Sequence, residues 1–185
     1  MNDSMRELQR TKIDLMQVHN LVDWRTHLAT LRRWKDEGRI RYLGVTHYQA
    51  SAFDELERII SREQIDFVQL PYSVGFRGAE RRLFPAAATA GVAVIVNRPF
   101  EGGSLFRTAL RTPLPASVRA WADSWPQAFL KFVLAQPAVT CVIPGHERTG
   151  REVVAESLEV GDEQLEFSFR GNCGYESDFE YQGST

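Results

Sequence analysis

The sequence predicts an α/β fold built on a parallel sheet or barrel, and three observations predict it. Five short runs are apolar on successive residues instead of alternating, as strands buried on both faces require. Segments of helical period separate them, so each strand returns to its neighbour through a right-handed crossover. The first run, Ile13 to His19, closes on an imidazole at the strand's C-terminal end, where barrel folds carry their chemistry.

In chain order, Ser4 to Gln9 reads as the end of an amphipathic helix, so the chain enters within a βα unit. The strands are Ile13 to His19, Tyr42 to Thr46, Phe67 to Leu70, Val92 to Val96 and Val139 to Ile143. The helix Trp24 to Glu37 stacks Leu28, Leu31 and Trp34 on one stripe and stops at Gly38. Ser51 is expected to cap the next helix, with Phe53, Leu56, Ile59 and Ile60 inward and Glu55 beside Arg58 outward. A third helix spans Ala79 to Ala90 and ends at Gly91, and a fourth spans Trp125 to Gln136 with Phe129, Phe132 and Val133 facing the core. Two stretches break the rhythm. Pro99 to Ser124 reads as a long unstructured connection, the kind that serves as a lid or binding loop. From Leu165 onward there are aromatics without helical period, so residues 165–185 are expected to form a loosely ordered tail to a domain over 1–164.

Composition limits the function classes. A chain of 185 residues, 43% hydrophobic, can bury a core. Its net charge of −2 offers no field for nucleic acid and no polybasic stretch for a membrane surface. Two cysteines, Cys141 and Cys173, make no disulfide framework, and no signal or spanning segment stands out, so a reducing cytoplasm is the expected compartment. His19, His27, His47 and Asp23 lack any recognised ligand spacing, so no metal is expected.

Five motifs carry a resemblance: Asp14-Leu-Met-Gln-Val-His19, Gly38-Arg-Ile-Arg-Tyr-Leu-Gly-Val-Thr-His-Tyr48, Asp66-Phe-Val-Gln69, Asn97-Arg-Pro-Phe100 and Val142-Ile-Pro-Gly145. In this order, each on a strand or at its C-terminal edge, they resemble the aldo-keto reductases, NADP-dependent oxidoreductases built on a (β/α)8 barrel. The resemblance runs from about residue 4 to 145. It implies that the five strands correspond to the fourth through eighth of the barrel, a partial TIM barrel over 1–164.

The same resemblance assigns roles. His19 matches the histidine beside the substrate carbonyl, although a histidine ending a strand is, without such motifs around it, more often a satisfied core residue. Thr46 and His47 match a pair, usually Ser-Asn, that holds the nicotinamide carboxamide, and Gln69 matches the glutamine completing that clamp. Asn97 replaces a tyrosine that stacks on the nicotinamide ring. Arg98, Gly102, Gly103, Ser104 and Leu105 fall in the loop that approaches the pyrophosphate. Beyond the last strand, Arg148 and Arg151, with His146 and Thr149, offer charge for the adenosine 2′-phosphate. The resemblance therefore implies NADP(H) as cofactor and a small aldehyde or ketone as substrate.

The family's catalytic tyrosine, lysine and aspartate lie on early barrel strands with no match in this sequence, so weak activity is expected of the polypeptide by itself. Five strands do not close a barrel, and the edges at Ile13 to His19 and Val139 to Ile143 are expected to stay open. Self-association or complementation through those edges is expected, and a non-catalytic half-barrel that assembles through them is the competing function.

Overall fold

The computed structural model describes residues 2–144, 154–160 and 163–168. The chain divides into two compact units, Met1–Gly145 and His146–Thr185. The first holds helix α1 (Asn2–Glu7) and strand β1 (Ile13–His19), followed by α2 (Trp24–Asp36), β2 (Ile40–Thr46), α3 (Phe53–Arg62), β3 (Phe67–Pro71), α4 (Leu83–Ala90) and β4 (Ala93–Asn97). It ends with α5 (Ser104–Ala109), α6 (Ala116–Arg119), α7 (Trp125–Leu134) and β5 (Val139–Ile143). The second contains an antiparallel hairpin of β6 (Val154–Val160) and β7 (Glu163–Ser168). Residues 169–185, most of the segment expected to be loosely ordered, lie outside the described residues.

The five strands form one sheet, all parallel, in the order β1-β2-β3-β4-β5. Each apolar run identified in the sequence forms a strand, with boundaries within two residues of those expected. Among the described residues β1 and β5 pair on one side only, so the sheet is open.

Alternation divides the sheet into two faces. Val18, Leu43, Val45, Val68, Leu70, Val94 and Val96 point toward the helices and pack with Leu28 and Leu31 of α2, Leu56, Ile59 and Ile60 of α3, and Val133 of α7. The alternate residues, Gln17 and His19, Thr46, Phe67 and Gln69, Ile95 and Asn97, then Cys141 and Ile143, occupy the opposite face, which in a closed barrel is the interior. Gly44 is on this face, and a Cβ there would lie 2.3 Å from the Phe67 carbonyl oxygen. Only glycine lets β2 approach β3 so closely. One strand is irregular: β5 carries an extra residue opposite the Val94/Ile95 step, and Thr140 Oγ1 accepts the Val94 N–H at 3.1 Å, satisfying a donor that the bulge releases.

Three local expectations are corrected. Ser51 does not cap α3; it sits within a 3-10 turn, Ala50–Ala52, and the cap residue Ala52 offers no side-chain bond. The expected helix over Ala79 to Ala90 is broken, with a 3-10 turn at Gly78–Arg81 and α4 beginning after Arg82, whose ψ is −51° at φ −137°. The stretch from Pro99 to Ser124 is not unstructured, since α5 and α6 lie within it. It is fastened at its far end, where Trp125 Nε1 donates to the Thr112 carbonyl at 2.8 Å and Lys131 Nζ to the Trp121 carbonyl at 2.8 Å.

Candidate functional site

Parallel register places the sequence-predicted residues in one row. His19 pairs with Thr46, Thr46 with Gln69, and Gln69 with Ile95, so His19 and Thr46, which end β1 and β2, and Gln69, two residues before the end of β3, stand at one level on the face turned from the helices. Asn97 stands two residues further along β4 and is paired with Pro71 and Ile143. These four side chains share the C-terminal rim because each follows a core valine or leucine by one position, and alternation turns it the other way.

His47 knits the rim together. Its N–H donates to the Gln69 carbonyl at 3.1 Å, and its own carbonyl accepts from Asn97 Nδ2 at 3.3 Å. The Gln49 N–H donates to its Nδ1 at 3.0 Å, and its ring stacks on Tyr48 with centroids 5.6 Å apart and planes 8° from parallel. Burial, and then the nearby His19, hold the His47 imidazole below the ordinary histidine range. His19 itself is exposed, Thr46 is buried, and the Gln69 side chain makes no hydrogen bond among the described residues.

The loop after β4 lies over neighbouring strand ends. Arg98 brings its guanidinium over the Tyr48 ring, 5.6 Å from the centroid, and has no carboxylate partner among the described residues. Glu101 accepts from the wholly buried Ser73 hydroxyl, which itself accepts the Phe76 N–H at 2.9 Å, and from Ser104 at 3.4 Å. Gly102 and Gly103 follow at φ 64° and 85°. Ser104 and Leu105 form the first turn of α5. Arg148 and Arg151 lie outside the described residues.

Backbone strain marks the same rim. Among the described residues, Asn20, Leu21 and Asp23 after β1, and Arg98 and Glu101 after β4, hold positive φ between 42° and 55° without being glycine. Such conformations cost about 1–3 kcal/mol each and persist where the surroundings impose them. The sequence carries no signal of this, since Leu, Arg and Glu are not residues that favour the left-handed region. Ser73 and Glu101 also went unnoticed in the sequence, because a serine and a glutamate 28 residues apart match no motif.

Two buried polar atoms on the barrel-side face lack partners among the described residues: Gln17 Nε2, two residues before His19, and Asn97 Oδ1. An amide-bearing ligand suits this polar complement, because the Gln69 amide and His47 ring offer donors and an acceptor along one rim. No three His, Cys, Asp or Glu side chains converge as metal donors among the described residues. No helix among them is long and apolar enough to cross a membrane. A cavity of about 360 Å³ opens at the opposite end of the strands, lined by Lys35, Glu63, Ile65, Asp66 and Val92. There Asp66 accepts from Lys35 Nζ at 2.7 Å and from the Leu43 N–H at 2.9 Å, which makes it a brace between α2, β2 and β3.

A family model described as the aldo/keto reductase family matches residues 1–168, reaching past Gly145. The NADH-specific methylglyoxal reductase of Escherichia coli (strain K12) is 29% identical over 133 residues, 64% of this chain and 40% of that protein. The holo form of an aldo-keto reductase from Bacillus halodurans is 27% identical with a TM-score of 0.58, covering 78% of this chain and 52% of that one. An aldo-keto reductase from Klebsiella pneumoniae in complex with NADPH has a TM-score of 0.63 at 21% identity and the same two coverages, a likeness of fold alone. The chain thus spans 40% of the curated relative and 52% of these two solved structures.

Proposed function

This chain belongs to the aldo/keto reductase family, and from that premise we propose that it supplies the histidine and amide side of a site that reduces aldehyde or ketone carbonyls with NADP(H). The observation that carries the reading is the register row of His19, Thr46 and Gln69 at the C-terminal rim of adjacent parallel strands. In this reading the strands are the fourth through eighth of the barrel.

A nicotinamide dinucleotide, when bound, supplies the hydride. The protein's part is to hold and polarise. His19, exposed at the end of β1, donates an imidazole N–H to the substrate oxygen and stabilises the charge that develops there. Thr46, His47 and Gln69 orient the carboxamide, with Asn97 fixing the His47 backbone from β4. Arg98, Gly102, Gly103, Ser104 and Leu105 take the pyrophosphate side, since an arginine without a carboxylate partner is available to an anion. Arg148 and Arg151, outside the described residues, are assigned the 2′-phosphate on the family resemblance alone. The relatives' printed names divide on the cofactor, one being NADH-specific and another crystallised with NADPH. The choice of NADP(H) rests on the family resemblance and those two arginines.

In this reading turnover requires a closed barrel, because an open sheet leaves the rim wet. The test is a nicotinamide-fluorescence titration of the 185-residue chain, and of the chain joined to the first strands of a relative. Binding of NADPH in either supports the reading, with turnover in the joined form; no binding in either removes it. A second reading, a non-catalytic half-barrel that assembles through its edges, is favoured by the one-sided pairing of β1 and β5 among the described residues.

A further inference from the structure

We propose that His47 is a tautomer-locked, uncharged donor that reads the carboxamide oxygen of the dinucleotide through its Nε2–H, and that its protonation unlocks the rim. The ligand half of this inference rests on the function proposed above; the tautomer half stands on the described residues alone.

The Gln49 N–H donates to Nδ1 at 3.0 Å. A backbone N–H offers only a donor, so Nδ1 must be bare, and a neutral imidazole then carries its proton on Nε2. The residue is held from three further directions: its N–H binds the Gln69 carbonyl, its carbonyl takes the Asn97 amide, and its ring lies flat against Tyr48. Nε2 is the polar atom left without a partner among the described residues. A donor fixed in this way presents one hydrogen in one direction. It therefore selects an acceptor such as an amide oxygen and has nothing to offer an N–H.

The charged surroundings oppose a second proton. His19, at the end of β1, is near enough to act on His47 electrostatically, and Arg98 reaches the other partner of the stack, Tyr48, from the loop after β4. Gln69 from β3 and Asn97 from β4 are uncharged. No carboxylate pairs with any of them among the described residues. Burial and His19 both lower the His47 pKa, in agreement with this geometry. A proton forced onto Nδ1 would face the Gln49 N–H, so the ring must turn, and it would carry Tyr48 and the guanidinium resting on it. The added positive charge also opposes the cationic oxidised nicotinamide more than the neutral reduced one.

Two measurements on the 185-residue chain test this. With 15N-labelled histidine, NMR should show His47 bare at Nδ1 and protonated at Nε2 at neutral pH, titrating below free histidine. A proton on Nδ1, or a titration in the ordinary range, overturns the lock. In dinucleotide titrations at pH 8 and pH 5.5, affinity should fall about tenfold in acid, the size of one lost hydrogen bond, and further for the oxidised form. His47→Asn keeps an amide donor but has no ring nitrogen to protonate, so whatever its affinity at pH 8, the ratio of its affinities at pH 8 and pH 5.5 should be well below the parent's. A variant that keeps the parent's pH profile overturns the role of His47. If the parent binds no dinucleotide at either pH, the functional reading fails together with the ligand half of this inference, while the NMR result still decides the tautomer.

Discussion

His19 and Gly44 stand on one sheet face and separate chemistry from folding. His19 is exposed and makes no side-chain hydrogen bond among the described residues, so His19→Gln should leave the urea unfolding free energy within about 0.5 kcal/mol of the parent. Carbonyl turnover in the completed barrel should fall about 10²–10³-fold, the usual effect of removing a donor to a developing oxyanion. Gly44→Ala should do the opposite. Its new methyl would meet the Phe67 backbone oxygen at 2.3 Å, where neither strand can yield without losing ladder bonds. A loss of about 1–3 kcal/mol is expected in the same unfolding measurement. His47 adds a pH dependence. Its folded pKa lies below the ordinary value of 6.5, so its contribution to stability is present above that value and is lost as pH falls through the lower folded one. The unfolding midpoint should therefore drop in mild acid more for the parent than for His47→Asn.

At the scale of elements, the strap from Arg98 to Ser104 is anchored to the turn after β3 by one carboxylate. Glu101 takes the Ser73 hydroxyl, and Gly75 leaves the space, since a Cβ there would lie 2.5 Å from Glu101 Oε1. Ser73→Ala should free the strap at a cost of about 1–3 kcal/mol for the unsatisfied groups left behind. Hydrogen exchange should rise across residues 98–104 and stay unchanged in α2; equal protection of the strap in both proteins would show that Glu101 does not anchor it. This strap also shows which parts of the fold were legible in the sequence. The strands were, because a parallel strand covered by helices must be apolar at successive positions, and His19, Thr46, Gln69 and Asn97 were legible as polar residues at or beside the C-terminal ends of those runs. The break at Arg82 and the 3-10 turn at Ser51 were not, because each depends on how the chain re-enters the helix layer rather than on a capping residue. The left-handed Leu21, Arg98 and Glu101 were hidden for the same reason, as tertiary contacts impose conformations that their side chains do not favour.

For the whole molecule, the open sheet sets the behaviour in solution. Among the described residues β1 and β5 each present a row of unpaired backbone groups, and the face turned from the helices carries Leu15, Phe67 and the 41%-exposed Tyr42, whose ring meets Phe67 edge-on at 5.5 Å. In a closed barrel such residues are covered by the strands opposite, and wherever nothing covers them apolar surface and strand edges face water together. The 185-residue polypeptide should therefore gain mass with concentration in light scattering. Tyr42→Lys, which places a charge on that face without touching the helix-side core, should return it to a monomer. Adding the first strands of a relative as a separate fragment should do the same by replacing self-pairing with a one-to-one complex, and that complex should bind dinucleotide more tightly than the chain by itself. A polypeptide that stays monomeric at every concentration and ignores the fragment would mean that its edges are protected within the chain, and assembly would lose its physical basis.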